Sequence, residues 1–451
     1  MGSSRGQAPE GELIQCHLPR SPFHLTSAGI VVQSTLLPPH GGMTPRIEDP
    51  LEEHHSAPRA RGDAVIRGAW VGMVFPKHPA HPDGSQSLIF KILPDSVPFN
   101  SLMPDEKPSF HLLADRLSAA ARSVWAKYDR STDGWLPLWR HMADSGAVAR
   151  LLWDRWLPPQ VHRVIAESLP GGEEEARRLA IWLATTHDIG KATPAFACQV
   201  EPLAARMRDA GLDMPSARRL DRKRAPHALA GQVLLQQWLQ ERYGWPRPAT
   251  IQFAIMAGGH HGVPPSPSDI KNLATREHLL RTPGCQSLWK SVQWEILDAC
   301  AAACGVQDDL SHWRTVKLSQ PAQVLLTALV IVADWIASNS ALFTYFPDAA
   351  RQGERERVEA AWRGLNLPEP WRAQEPTEEP AAFFTSRFPL PPEARVRPVQ
   401  ARALEAARNM SAPGLMIIEA PMGEGKTEAA LAAAEVFAAR SGAGGCFVAL
   451  P

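Results

Sequence analysis

The sequence predicts a mainly α-helical domain followed by the first βαβ portion of an α/β unit, and three observations predict it. Apolar residues recur at helical spacing from about residue 110 to about residue 366, a Pro/Glu-rich stretch follows, and then a short apolar run, a glycine-rich turn and an Ala-rich run come in succession. The first pattern is that of amphipathic helices. The last, strand then turn then helix, is the setting in which a glycine-rich loop cradles phosphate.

Residues 1–105 are rich in Pro, Gly, His and Ser, with only short apolar runs such as Ala69 to Phe75, and read as a poorly ordered leader or small appendage. Met103 opens a stretch that runs straight into the first helix, so a start at that methionine is a second reading. Residues 106–366 form the helical domain, on the evidence of Ala147-Val148-Leu151-Leu152-Trp156, Leu179-Trp182-Leu183, Leu229-Val233-Leu234-Trp238 and Leu325-Leu326-Leu329-Val330. The longest apolar stretch, Val324 to Ala333, is shorter than the roughly 20 residues of a bilayer span and reads as a buried core helix. Residues 367–392 read as a Pro/Glu-rich linker. Residues 393–451 then predict a helix to about Met410, a strand Leu415 to Ala420, the loop, a helix Glu428 to Arg440 and a further strand Cys446 to Leu450.

A chain of 451 residues has room for two or three domains of about 100–200 residues each. Lys and Arg total 47 and Asp and Glu total 47, so contact with a polyanion has to come from local basic patches and not from a global field. The six cysteines form no CxxC pair, which fits reduced thiols in the cytoplasm better than a disulfide framework; Cys300 and Cys304 sit one helical turn apart for packing. The amino terminus carries no continuous apolar segment of the kind a signal peptide has, and no membrane association is expected.

Chemistry concentrates in the helical domain. His187-Asp188 ends a helix and leads into Ile189-Gly190-Lys191. Neighbours on a helix project about 100° apart, so an imidazole and a bridging carboxylate can face adjacent metals, with Gly190 allowing a tight turn and Lys191 returning a cation beside bound phosphate. Asp334 is the only charged residue between Gln323 and Ala337. An ionised carboxylate buried there needs a metal or a paired cation; the alternative is a helix-end aspartate reaching water. His260-His261 lies between Ala257-Gly258-Gly259 and Gly262, where the backbone can bend both rings towards one centre, or where a charged histidine can meet a helix C-terminus. His141 stands on an amphipathic helix, with Asp144 one turn later either orienting it or facing solvent, and His227 follows the basic run Arg218 to Arg224. Nitrogen and oxygen donors without thiolate suit Fe, Mn, Co or Ni and do not exclude Zn.

The loop Ala420-Pro421-Met422-Gly423-Glu424-Gly425-Lys426-Thr427 places a lysine for β/γ-phosphates and a hydroxyl for Mg²⁺, with Gly423 and Gly425 in the cradle. Ala420 in place of the first glycine is more typical of superfamily 2 helicases, and Gln400 after Arg397-Pro398 resembles their adenine-reading glutamine; its other reading is a solvated helix start.

The order His141, His187-Asp188, His227, His260-His261, Asp334 is that of the HD-type metallophosphohydrolases. Together with Ser123 to Asp129, Gly134 to His141, Pro194-Ala195-Phe196, Ala333 to Ser338 and Glu419 to Ala430, the pattern from about Ser109 to Pro451 resembles the CRISPR-associated helicase/nuclease of type I systems. The resemblance implies an all-α HD nuclease domain and a RecA-like helicase start. It implies two divalent transition-metal ions, one held by His141, His187, Asp188 and Asp334, the other by Asp188, His227, His260 and His261. His187, Asp188 and Lys191 would be the catalytic residues. ATP and Mg²⁺ would be bound through Gln400, Gly423, Gly425, Lys426 and Thr427, the substrate would be single-stranded DNA in an R-loop, and the partner would be the Cascade surveillance complex with its guide RNA. The 451 residues contain no acidic motif II and no later helicase motif, so a truncated motor is expected. Two other readings remain at this stage: an HD phosphohydrolase acting on nucleotides or cyclic nucleotides, and an inactive remnant of a split gene.

Overall fold

The computed structural model describes residues 29–31, 111–346, 353–391, 393–411 and 414–448. The leader expected over residues 1–105 lies outside them, apart from the strand Gly29–Val31. The described residues divide into two compact units, the smaller formed by Ala373–Ser441 with Gly29–Val31 and the larger by the residues up to Arg372 with those from Gly442 onward.

The larger unit is helical, as the periodicity predicts. At its centre lies the Gly172–Thr186 helix, whose Leu179 to Ala184 segment is fully buried. A segment apolar on every side has to be enclosed on every side, and this helix packs on the helices Leu138–Leu151, Pro159–Ala166, Gln286–Cys304 and Gln320–Ala337. Its Trp182 meets the rings of Trp238 and Trp313 at centroid distances of 6.4 and 5.8 Å. These large flat side chains fill the middle of the bundle and set how far apart its helices stand.

Three further elements carry the site. The His227–Tyr243 helix runs beside the Arg247–Gly258 helix, and the single-turn segment Ile189–Lys191 lies against the former. The Gln320–Ala337 helix is capped by Ser319, whose hydroxyl accepts from the Ala322 N–H at 3.3 Å. With 18 residues it has the length and apolarity to cross a membrane, yet half of it is buried against its neighbours, and it delivers Asp334 to the site. A hairpin of Trp125–Tyr128 and Trp135–Pro137 closes over one end; its turn is fixed by the Asp129 carboxylate, which accepts the Ser131 N–H at 2.9 Å.

In the smaller unit the helices Pro380–Arg387, Pro398–Asn409 and Lys426–Ser441 accompany a strand, Leu415–Ile417, that pairs in parallel with Gly29–Val31. Two sequence expectations need correction here. The Pro380–Arg387 helix falls inside the stretch read as linker, and its Phe383 and Phe384 are fully buried in this unit's core. Pro380 opens that helix, a position where the missing N–H costs nothing, so the proline marked a start and not a break. The strand expected over Cys446 to Leu450 does not form across the described residues Cys446 to Val448, where Phe447 and Val448 are exposed. An apolar run becomes a strand only where a neighbouring strand completes its ladder; the ladder of Leu415–Ile417 is formed with Gly29–Val31 instead.

Candidate metal centre

Seven side chains predicted from scattered sequence positions converge in the larger unit. His141 sits near the start of the Leu138–Leu151 helix, His187 caps the Gly172–Thr186 helix and Asp188 follows it. His227 is the first residue of its helix, His260 and His261 follow the end of Arg247–Gly258, and Asp334 lies in the last turn of Gln320–Ala337. Helix ends supply most of the donors, because there the side chain is rigidly placed while the chain can still turn away.

The donors fall into two sets on opposite oxygens of one carboxylate. Asp188 Oδ2 lies 2.9 Å from His141 Nε2 and 3.4 Å from His187 Nε2. Asp334 Oδ1 closes that set at 3.2 Å from His141 Nε2 and 3.4 Å from His187 Nε2. On the other side, Asp188 Oδ1 lies 3.6 Å from His227 Nε2 and 3.7 Å from His260 Nε2, and His261 Nε2 approaches His227 Nε2 at 2.8 Å. The first set is wholly buried; the second opens outward through His227 and His261.

The donors fit a divalent ion by what they lack. Nε2 of His141, His187 and His260, together with Asp188 Oδ1, is buried without a hydrogen bond. Leaving such groups unpaired costs about 1–3 kcal/mol each, and four of them pointing into one space are explained by an ion that accepts their lone pairs. Two of the rings are oriented for it: the ring nitrogens Nδ1 of His187 and His260 lie 2.7 and 2.5 Å from the carbonyls of Ala184 and Ala257. With Nδ1–H donating to a carbonyl, Nε2 of the neutral ring is left as the acceptor.

Charge in the site is tightly coupled. Burial by itself would raise the Asp188 pKa, but Lys191 and His187 outweigh it and hold the carboxylate well below its usual range. Burial likewise opposes ionisation of Asp334, and His141 and His187 overcome it to keep that group ionised. His187 is driven down by burial and up by Asp188, and the carboxylate wins, raising it to about 9. Burial dominates at His227 and His260, which fall to about 4 and about 3 and are therefore neutral near pH 7, as ligands must be.

Around the donors the sequence reading needs three amendments. Asp144 does not orient His141: its carboxylate is turned to Arg357, which donates from Nε and Nη2 at 3.1 and 3.0 Å, and His141 Nδ1 has no hydrogen bond. Arg357 lies over two hundred residues away, beyond the reach of any spacing argument. Gly190 sits in a tight single turn, Ile189–Lys191, as expected, but what requires glycine there is close approach, since a Cβ would lie 1.9 Å from the His227 carbonyl oxygen and 2.4 Å from the Gly231 nitrogen. Lys127 and Ser338 were missed. Lys127 Nζ donates to Ser338 Oγ at 2.6 Å, and Ser338 Oγ donates to Asp334 Oδ1 at 2.7 Å. Ser338 follows Asp334 by one helical turn and was legible from spacing; Lys127, delivered by the hairpin, was not. Lys191 bonds Asp188 Oδ2 at 2.5 Å and is itself buried.

In the smaller unit, Gly423 and Gly425 adopt φ of 80° and 75°, the left-handed conformations that a phosphate-cradling turn requires of glycine. Lys426 Nζ folds back on the Ala420 and Pro421 carbonyls at 2.6 and 2.9 Å, and Thr427 lies in the first turn of the following helix. Gln400 is not the solvated helix start considered above. It is buried, accepts the Arg397 N–H at 3.0 Å, and lies 3.5 Å from the Gly425 carbonyl, which ties its helix to the loop.

Residues 125–343 match the family described as Cas3, HD domain. The chain is 33% identical over 355 residues to the CRISPR-associated nuclease/helicase Cas3 of Streptococcus thermophilus, an alignment covering 72% of this chain and 36% of that protein. It is 34% identical over 336 residues to the CRISPR-associated endonuclease/helicase Cas3 of Thermus thermophilus, covering 74% of this chain and 34% of that protein. A solved CRISPR-associated protein superimposes with a TM-score of 0.59 at 32% identity, over 72% of this chain and 35% of its own. The AMPPNP complex of T. fusca Cas3 does so with a TM-score of 0.54 at 26% identity, over 72% and 35%. The chain thus spans about a third of the length of these relatives.

Proposed function

Since residues 125–343 are a Cas3-family HD domain, we propose that this chain is a metal-dependent phosphodiesterase that cleaves single-stranded DNA during CRISPR interference. The observation that carries the reading is the single carboxylate, Asp188, presenting one oxygen to His141 and His187 and the other to His227 and His260. His141, His187, Asp188 and Asp334 would hold one divalent ion, and Asp188, His227, His260 and His261 would hold a second. When bound, two such ions supply Lewis-acid stabilisation of the phosphodiester and activation of a water at neutral pH. Donors of this kind suit Mn, Fe, Co or Ni and admit Zn.

The chain's own groups do the rest. The Ala184 and Ala257 carbonyls fix which nitrogen of His187 and His260 faces the ions. Lys191, held at Asp188, keeps that carboxylate ionised and adds positive charge where the phosphate docks. Lys127 and Ser338 fix the orientation of Asp334. Outside the buried set, His227 and His261 mark the side from which a strand enters.

The DNA strand displaced in an R-loop is the proposed substrate, and the Cascade complex with its guide RNA the proposed partner, in the cytoplasm. The loop through Lys426 and Thr427 is proposed to bind ATP with Mg²⁺. Replacing Asp188 by Ala tests the central claim: elemental analysis should find both ions lost and single-strand cleavage abolished, with helical circular dichroism retained. Undiminished cleavage by a metal-depleted D188A protein refutes the assignment.

A further inference from the structure

Beside the outward-facing half of the metal cluster lies a groove of about 660 Å³, within the range of pockets that hold nucleotide-sized ligands, about 300–1,000 Å³. His227, Phe196, Arg222 and Lys223 line it, together with Asp221. The Phe196 ring is half-buried and held from several sides. Its centroid lies 4.5 Å from that of Trp125 and 5.8 Å from that of His227, with Lys191 Nζ at 5.6 Å. Its short helix, Pro194–Ala197, is pinned by the Thr193 cap and by the Trp125 indole, which donates to the Ala197 carbonyl at 3.1 Å. Among its charged lining residues, Asp221 is paired with Arg224 at 2.6 Å, whereas Arg222 and Lys223 have no acidic partner among the described residues and leave the groove basic.

We infer that this groove receives one unpaired nucleobase of the DNA strand, stacked on Phe196 next to the phosphate being cleaved, with Arg222 and Lys223 taking the phosphates that flank it. The inference rests on the nuclease reading and adds a cause for single-strand selectivity. Every base has a π-face that an aromatic ring can stack on without reading sequence. In a duplex that face is already stacked and the base edge already paired, so the base reaches Phe196 only from a single strand. The preorganised ring also spares the cost of ordering a mobile side chain on binding.

Phe196→Leu keeps the apolar volume and removes the ring face; Phe196→Trp restores a ring. The full chain, loaded with Mn²⁺, is compared on two probes: an ordinary single-stranded oligonucleotide, and one of the same length built wholly of abasic tetrahydrofuran residues. Binding is read separately, through quenching of a 2-aminopurine placed in a phosphorothioate strand. For Phe196→Leu we expect KM on the ordinary strand to rise about tenfold, the scale of one lost stacking contact. Its kcat and its rate on the abasic strand should match those of the unsubstituted protein, and 2-aminopurine quenching should be lost. Phe196→Trp should restore both KM and quenching. If Phe196→Leu slows the abasic strand as much as the ordinary one, the ring merely supports His227 and the inference is overturned; unchanged KM and quenching overturn it as well. If the unsubstituted protein neither binds nor cleaves either strand, the nuclease reading itself fails and this inference with it.

Discussion

Adding a single methyl group at Gly190 should open half of the metal centre. The Ile189–Lys191 segment lies so close to the His227–Tyr243 helix that a Cβ on residue 190 would stand 1.9 Å from the His227 carbonyl oxygen and 2.4 Å from the Gly231 nitrogen. For ordinary contact at 3.4 Å, from 1.9 Å, the carbonyl must retreat by about 1.5 Å. Both obstructing atoms are backbone, so no side chain can swing aside. The segment carrying residue 190 is buried and bonded through Lys191 N–H to the Asp188 carbonyl at 2.9 Å, whereas the start of the helix is half-exposed; the helix start therefore moves. His227 travels with it, away from Asp188 Oδ1, now 3.6 Å distant. Overpacking of this kind costs about 1–3 kcal/mol, and in a domain of this size each kcal/mol lowers the melting temperature by roughly 2–4 °C. Metal affinity at the His227, His260 and His261 side should fall by more than the 10–100-fold typical of disturbing a ligand's supports. Elemental analysis after dialysis should thus find one ion in place of two in Gly190→Ala, with a lowered thermal midpoint. Two retained ions and an unshifted midpoint would falsify the close-approach account.

Other consequences follow from the charges. In protein stripped of metal, His187 with its pKa raised to about 9 contributes stability that is complete below its unfolded value of 6.5 and is lost as pH rises through about 9. His227 and His260, lowered to about 4 and about 3, act in the opposite sense: the unfolded chain takes up protons first, so stability falls as pH drops below 6.5. Thermal melting of the stripped protein should therefore peak near pH 6.5, and metal affinity should climb with pH towards 9 as His187 gives up its proton; a flat melting profile from pH 5 to 9 contradicts this. Arg357→Ala leaves the Asp144 carboxylate buried with Arg140, at 3.7 Å, as its remaining ion-pair partner among the described residues, and should cost about 3 kcal/mol in urea unfolding, near the low end for a broken buried pair. A loss under about 1 kcal/mol would mean that water or Arg140 compensates the charge. Reversing Arg222 and Lys223 to Glu should flatten the salt dependence of single-strand binding by about 1.4 in log K against log salt, from about 0.7 per phosphate contact; an unchanged slope would place the strand elsewhere.

How much of this was legible in the chain differs from residue to residue. The mainly α character of the larger unit follows from the 3.6-residue spacing of its apolar side chains, and five of the seven clustered polar side chains could be named because each breaks a local rule, whereas His141 and His227 were named only through the order of the whole set. Asp334 is a lone charge in an apolar helix, His260-His261 a pair of rings among glycines, and His187-Asp188 a polar pair at the end of a buried helix. Polar groups that burial makes expensive announce themselves in sequence, since their neighbours show that they will be buried. What surrounds those donors did not announce itself. Lys127 lies on a hairpin strand and Arg357 on a helix far along the chain, and neither carries a local mark of its partner; only folding sets one beside Ser338 and the other against Asp144. The close approach at Gly190 was not legible for the same reason, because a glycine needed for a turn and a glycine needed for contact look alike until the second backbone is present. The division of the donors between the two oxygens of Asp188 belongs to the tertiary structure as well, since it depends on the angles at which five helix ends meet, a quantity governed by the packing of rings such as Trp182 and Trp238 and by no spacing along the chain.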